Sequence, residues 1–269
     1  MKTQVSRLFD VSGKAVLITG AGGQLGGEYV SAFLEAGAYV AALDKNVHNP
    51  RGKLSSISSE NVFIAAVDIT DKNSICTALD ACVSRFGVPS VLVNNAALDA
   101  PPNATDQDTG PFEQYPEDSW DQMMNVNVKG TFLMCQAVGG LMASHNGGSI
   151  INIASIYGML SPDQRLYEHK KPPFTKPIAY SVSKSAIYNL TRYLATYWAN
   201  KKVRVNTLTL AGVFNNQDDA FLKKYTAKVP LGRMANQNEY NGAVLFLASD
   251  ASAYMTGANM VIDGGYSCW

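Results

Sequence analysis

No apolar run in the chain reaches the ~18 residues that a membrane-spanning helix requires. Met1–Asp10 also lacks the apolar stretch of a secretory leader. A cytoplasmic protein is therefore expected. Histidine is scarce: His48, His145 and His169 stand alone, and no His/Cys/Asp spacing points to a metal, so none is expected. The four cysteines (Cys76, Cys82, Cys135, Cys268) contain no Cys-x-x-Cys pair, which fits free thiols in a reducing compartment. There is no net charge, with 22 basic against 22 acidic side chains. Nucleic acid as the main partner would require a basic face and is excluded on that ground. No Pro/Gly/Ser linker, internal repeat or low-complexity segment divides the 269 residues, of which 46% are hydrophobic. One domain, 1–269, with a sizeable core is expected.

What is present is an alternation. Short apolar runs at 15–19, 39–43, 62–67, 91–93, 149–153, 204–208 and 259–262 read as strands. Helical periodicity covers 24–36, 73–86, 119–143, 179–199 and 239–248. Continuous apolar strands between helices predict an α/β fold, a doubly wound parallel sheet of Rossmann type. Ligands in such sheets bind beyond the carboxyl ends of the strands. Thr19, Asp44, Asp68, Asn94, Ser155 and Leu210 all fall at those ends.

The first strand runs into Thr19-Gly-Ala-Gly-Gly-Gln-Leu-Gly-Gly27 and then a helix. Glycines allow close approach of the backbone to a pyrophosphate, and a helix N-terminus offers N–H groups and its dipole. Asp44 ends the next strand, where a carboxylate can accept from a ribose 2′-hydroxyl and would repel a 2′-phosphate. NAD is therefore expected rather than NADP, with Lys45 as the contrary signal. Tyr180 and Lys184 are one helical turn apart and can share a face. A free tyrosine titrates near ~10. A fixed positive charge favours its phenolate, so the pair reads as a proton-transfer centre. Taken alone, Tyr-x-x-x-Lys is more often the mark of an amphipathic helix with a snorkelling lysine.

Together these residues resemble the short-chain dehydrogenase/reductase family over nearly the whole chain. The resemblance is carried by the Gly-rich turn, Asp68, Asn94-Asn95-Ala96, Asn127 in Asn-Val-Asn-Val-Lys-Gly, Ser155 in Ile-Asn-Ile-Ala-Ser and Tyr180/Lys184. Arg204-Val-Asn206, Pro230-Leu-Gly-Arg233 and Asp263-Gly-Gly265 extend it. It implies Tyr180 as general acid/base, Ser155 as hydrogen-bond donor to the substrate oxygen and Asn127 as support for a water relay. Lys184 is implied to hold the nicotinamide ribose and lower the tyrosine's pKa. Cofactor contacts are implied for Gly20, Gly23, Gln24, Leu25, Gly26, Asp44, Asp68, Ile69, Asn94, Ala96, Tyr180, Lys184 and Val213. A homotetramer is implied too, with Tyr193, Tyr197, Trp198 and the 266–269 end in subunit packing.

The chain departs from the family pattern. Gln24 stands where a glycine is usual, leaving Gly20-x-x-Gly23-x-x-Gly26, the spacing of a sugar-nucleotide-modifying branch. Ala97 replaces a glycine, and Leu210-Ala211 replaces Pro-Gly. Ser155 and Tyr180 are 25 residues apart, further than is usual, and two active-site insertions result, at about 98–118 and 160–177. Arg165, His169, Lys170, Lys171 and Lys176 make the second basic, so it reads either as a clamp on a polar or anionic substrate or as a solvated loop or subunit contact. It holds few large apolar residues, which argues against steroid or fatty-acyl substrates. With Phe214-Asn-Asn-Gln-Asp218, the glycine spacing also looks like that of bacterial sugar and surface-glycan oxidoreductases. The expected activity is NAD(H)-dependent interconversion of a secondary alcohol and a ketone on a polar, sugar-derived or anionic small molecule. The alternatives are a reductase of acyl or small ketone substrates and a catalytically silent dinucleotide-binding regulator.

Overall fold

The computed structural model describes residues 3–48, 50–102 and 104–269; Met1, Lys2, Asn49 and Asn103 lie outside it, so the 1–10 and 98–118 readings apply only to their described residues. Seven parallel strands form one sheet: β1 (Ala15–Thr19), β2 (Tyr39–Asp44), β3 (Val62–Ala66), β4 (Val91–Asn94), β5 (Gly148–Ser155), β6 (Val203–Leu210) and β7 (Asn259–Ile262). Their spatial order is β3-β2-β1-β4-β5-β6-β7. The order reverses between β1 and β4, where doubly wound sheets open a crevice for ligands. Val16, Leu17, Ile18, Val91, Leu92 and Val93 are fully buried because helices cover both faces of the sheet. Each such side chain contributes roughly 1.5–3 kcal/mol of transfer free energy.

A short α1 (Gln4–Leu8) precedes the sheet. Helix α2 (Gln24–Glu35) packs Tyr29, Val30 and Phe33 on one face of it with α9 (Asn241–Ala248). Helix α3 (Lys72–Phe86) and the long run over 117–143 cover the other. Asp71 caps α3 by accepting from the Asn73 N–H, and Gly87 at φ 80° ends it. The long run is not uniform. It consists of α4 (Glu117–Met124), α5 (Thr131–Met134) and α6 (Gly140–Ala143), separated by π-type turns at Asn125–Gly130 and Cys135–Gly139. Helix α7 (Ile178–Tyr197) crosses the same face, and α8 (Asp219–Thr226), which the periodicity does not announce, follows β6.

Met123, Met134 and Met142 lie in the core, and Met124 beside them is half-buried. Trp198, expected in subunit packing, is buried within the chain instead; a Cβ on Gly139 would meet its ring at 2.5 Å. Tyr266 also turns inward and packs at a tilt against Tyr225, with ring centroids 5.3 Å apart.

Candidate active site

The carboxyl ends of the strands open into a cavity of about 1330 Å³. One end is the Gly-rich turn. A Cβ on Gly20 would lie 2.7 Å from the Ala96 Cα, and one on Gly26 would lie 2.0 Å from the Gly20 carbonyl oxygen, so glycine is required for this packing. Helix α2 starts from Gly23 with no side-chain cap, and Gly23, Gln24 and Leu25 face the cavity. Those first-turn N–H groups are the feature that binds anions at helix starts. Gln24, in place of the usual glycine, donates from Nε2 to the Phe214 carbonyl at 2.8 Å and links the turn to the loop after β6. Asp44 lines the wall nearby. Its Oδ2 accepts from the Gly22 N–H at 2.9 Å and its Oδ1 from Asn46 N–H at 2.8 Å.

At the other end stand Ser155, Tyr180 and Lys184. Ser155 is the last residue of β5, and its Oγ accepts from the Tyr157 N–H at 3.2 Å. Tyr180 lies in the first turn of α7 with Lys184 one turn on. The turn after β5 can touch α7 because residue 158 is glycine; a Cβ there would lie 2.7 Å from the Lys184 carbonyl carbon. Lys184 Nζ donates to the Ile153 carbonyl at 3.0 Å and lies 6.0 Å from the Tyr180 ring centre.

The electrostatics differ from the sequence reading. Burial raises the Tyr180 pKa, and the Asp99 charge raises it further, against a hydrogen bond to Ser155. Burial also lowers Lys184 to about 8, opposed by Asp99. In the polypeptide itself burial is thus the main influence on the phenol, with the Asp99 charge next.

Three residues expected in the site do not face the cavity. Asn94 turns into the core, where its Nδ2 donates to Asn152 Oδ1 at 2.8 Å; its neighbour Asn95 lines the cavity instead. Gly26 packs against the turn's own backbone. Asn127 is buried in the first π-type turn. Its Oδ1 accepts from the Leu98 N–H at 2.7 Å, and its Nδ2 donates to the Leu98 carbonyl and Ser183 Oγ, each at 2.9 Å. It holds the strand-end loop against α7 from behind. Gly20, Gly23, Gln24, Leu25, Asp44, Asp68, Ile69, Ala96 and Val213 do line the cavity.

Residues 20–267 match the family model described as enoyl-(acyl carrier protein) reductase. The chain is 34% identical over 270 residues to the D-threitol dehydrogenase of Mycolicibacterium smegmatis, covering 96% of this chain and 95% of that protein. It is 31% identical to the NAD-dependent glycerol dehydrogenase of Listeria innocua, with 96% of each covered. Its fold superposes on a short-chain dehydrogenase of Leptospira borgpetersenii with bound NAD+ at a TM-score of 0.85 and 32% identity, over 99% of this chain and 96% of that one. The chain belongs to the short-chain dehydrogenase/reductases. As a member of that family it is an oxidoreductase interconverting secondary alcohols and ketones with a nicotinamide dinucleotide, NAD or NADP.

The rim of this short-chain dehydrogenase is built from the segments 98–118 and 160–177, joined by Thr175, whose N–H donates to the Thr109 carbonyl at 2.6 Å. The basic residues of the second segment are mostly paired. Arg165 Nε donates to Asp163 Oδ1 at 2.8 Å, and Lys170 and His169 meet Asp218 at 2.5 and 2.7 Å. Asp218 also caps α8 by accepting from the Phe221 N–H at 2.9 Å. These bonds fasten the segment to α8. Sequence reading missed the aromatic wall that results: Tyr157, Tyr167 and Phe174 line the cavity with Phe221 and Tyr225. Tyr167 and Phe221 come from elements far apart in the chain, so no spacing could have signalled their meeting.

Proposed function

We propose that the enzyme oxidises a neutral polyol, a sugar alcohol or close relative, at a secondary carbon with NAD. The observation that carries this is the balance of charge at the substrate end. Each lysine lining it there, other than Lys184, is matched to a carboxylate, Lys170 to Asp218 and Lys176 to Asp99, beside polar Gln122, Asn125, Asn215 and Gln217. Such a rim has no uncompensated charge for an anion and many partners for hydroxyls. The names of the related threitol and glycerol dehydrogenases support the same substrate class.

In this reading Gly20, Gly23, Gln24 and Leu25 hold the pyrophosphate, Asp44 the adenosine ribose, and Asp68, Ile69, Ala96 and Val213 the rest of the dinucleotide. The glycine packing, the uncapped helix start and the volume of the cavity fit such a molecule. When bound, the nicotinamide supplies a hydride acceptor. Tyr180 takes the hydroxyl proton, Ser155 donates to the substrate oxygen and Lys184 holds the positive charge that a phenolate needs. Asn127 acts as a positioning residue through Leu98 and Ser183. The 98–118 and 160–177 segments are insertions that shape the substrate end. NAD is favoured over NADP because a carboxylate at the end of β2, Asp44, can accept from a ribose 2′-hydroxyl and would repel a 2′-phosphate. A cytoplasmic homotetramer fits free Cys76, Cys82, Cys135 and Cys268 and the exposed, stacked Tyr193 and Tyr197 on α7.

The test is NAD reduction followed at 340 nm with threitol, glycerol, arabinitol and galactitol beside sugar phosphates and a simple ketone with NADH. Turnover confined to phosphorylated sugars or to ketones would overturn the reading. Light scattering during gel filtration checks the tetramer.

A further inference from the structure

Lys176 is the least explained side chain in the cavity. It belongs to no family motif, yet its side chain is only 9% exposed and its ammonium stands 4.6 Å above the Tyr180 ring centre. Its partner is Asp99, from the other rim segment, and both residues line the cavity. The pair is held from both sides. The Lys176 N–H donates to Gln164 Oε1 at 2.8 Å, and Thr175 Oγ1 donates to the Gly110 carbonyl at 2.5 Å. Asp99 is close enough to raise the pKa of both Tyr180 and Lys184.

We propose that Lys176 and Asp99 form a specificity site for a second hydroxyl, on a carbon next to the one being oxidised. An ammonium only donates and a carboxylate only accepts. A hydroxyl does both, so it can accept from Lys176 and donate to Asp99 together. An anionic group would meet Asp99, a cationic group would meet Lys176, and a hydrogen or methyl would leave both charges without a ligand partner. Lys176 is the buried member and Asp99 is mostly exposed, so an analogue that lacks the hydroxyl takes a hydrogen-bond acceptor chiefly from the Lys176 ammonium, and a site built to bond a hydroxyl discriminates against such an analogue. The position above Tyr180 places the second hydroxyl beside the reacting one. The site therefore selects a neutral vicinal diol unit. This rests on the polyol reading and names which part of a polyol is recognised.

The experiment compares meso-2,3-butanediol with 2-butanol in the wild type, Lys176→Met, Lys176→Arg and Asp99→Asn. Both kcat/KM with NAD and direct binding to the enzyme–NADH complex by calorimetry are measured. In Lys176→Met and Asp99→Asn the diol-to-monoalcohol ratio of kcat/KM should fall about 10–100-fold, as for loss of a hydrogen bond to a charged group. Diol affinity should fall in parallel, and Lys176→Arg should recover part of it. Equal losses on both alcohols would overturn the proposal and make Lys176 a positioning residue for Tyr180. An unchanged ratio would reduce the pair to a clasp between rim segments. Wild type that binds diol no better than monoalcohol also overturns it. Wild type that binds diol selectively but does not oxidise it would refute the polyol activity while leaving the hydroxyl site standing. Thermal melting confirms that each variant is folded.

Discussion

Lys45 Nζ lies 2.7 Å from Asp68 Oδ2, so the cation beside Asp44 is turned toward the carboxylate that follows β3. The lysine's hydrogen bond is the largest influence holding Asp68 at about 2, well below the ordinary carboxylate range. Lys45 is mostly exposed and the pair contributes little to stability. Its consequence is for the cofactor. The sequence offers Lys45 as a ligand for a 2′-phosphate, and the fold gives that lysine another partner.

Replacing Asp44 with serine should therefore narrow the preference for NAD over NADP by about 10–100-fold, the range for a hydrogen bond to a charged group. Adding Asp68→Asn should release Lys45 and move the preference further toward NADP. The ratio of kcat/KM for the two cofactors is the measurement. A wild type that prefers NADP would mean that Arg51 or Lys45 governs this end of the cavity.

Tyr180→Phe removes one oxygen and almost no volume. Turnover should fall by ~10²–10⁴, the usual contribution of a general acid or base. NADH binding, followed by its fluorescence, should persist. A folded variant keeping more than about a tenth of the wild-type kcat would remove Tyr180 from the proton-transfer role.

Lys184 carries a stability cost whose sign follows from its lowered pKa. The folded value is about 8 against 10.5 for the free group. Below about 8 both states are protonated and the burial penalty is constant. Between there and 10.5 the unfolded chain binds more protons, so stability rises with pH across that window. Against Lys184→Met as reference, wild type should gain about 3 kcal/mol from pH 7 to 10.5. Parallel urea titrations at the two pH values measure it, and a flat difference would contradict the burial of a charged lysine.

Asn127→Ala leaves the Leu98 N–H and carbonyl and Ser183 Oγ without their side-chain partner. A loss of about 1–3 kcal/mol in unfolding free energy is expected for orphaned buried groups. Because Leu98 also lines the cavity, kcat should drop together with stability. Loss of turnover with unchanged stability would instead point to a direct part in proton transfer.

Local chemistry made much of this molecule legible before any fold was known. Apolar runs such as Val91–Val93 have only one comfortable place, the interior of a parallel sheet, and the Gly-rich turn declares its strand-turn-helix context. Tyr180 and Lys184 could be paired because one helical turn separates them. The sequence by itself thus determined the α/β fold, the edge of the sheet where a ligand sits and the residues of its reactive end. The tertiary structure decided what depends on encounters between distant segments. Asn94 and Asn95 are equal candidates as letters, and only the pleat of β4 sends one inward to Asn152 and the other to the cavity. The cations of 160–177 read either as an anion clamp or as a solvated loop or subunit contact, and only the fold shows Asp163, Asp218 and Asp99, two of them far away in the chain, set against them. Periodicity encodes which face of an element is buried. It does not encode which remote charge will neutralise another, since that is settled only when the rim segments pack over the strand ends.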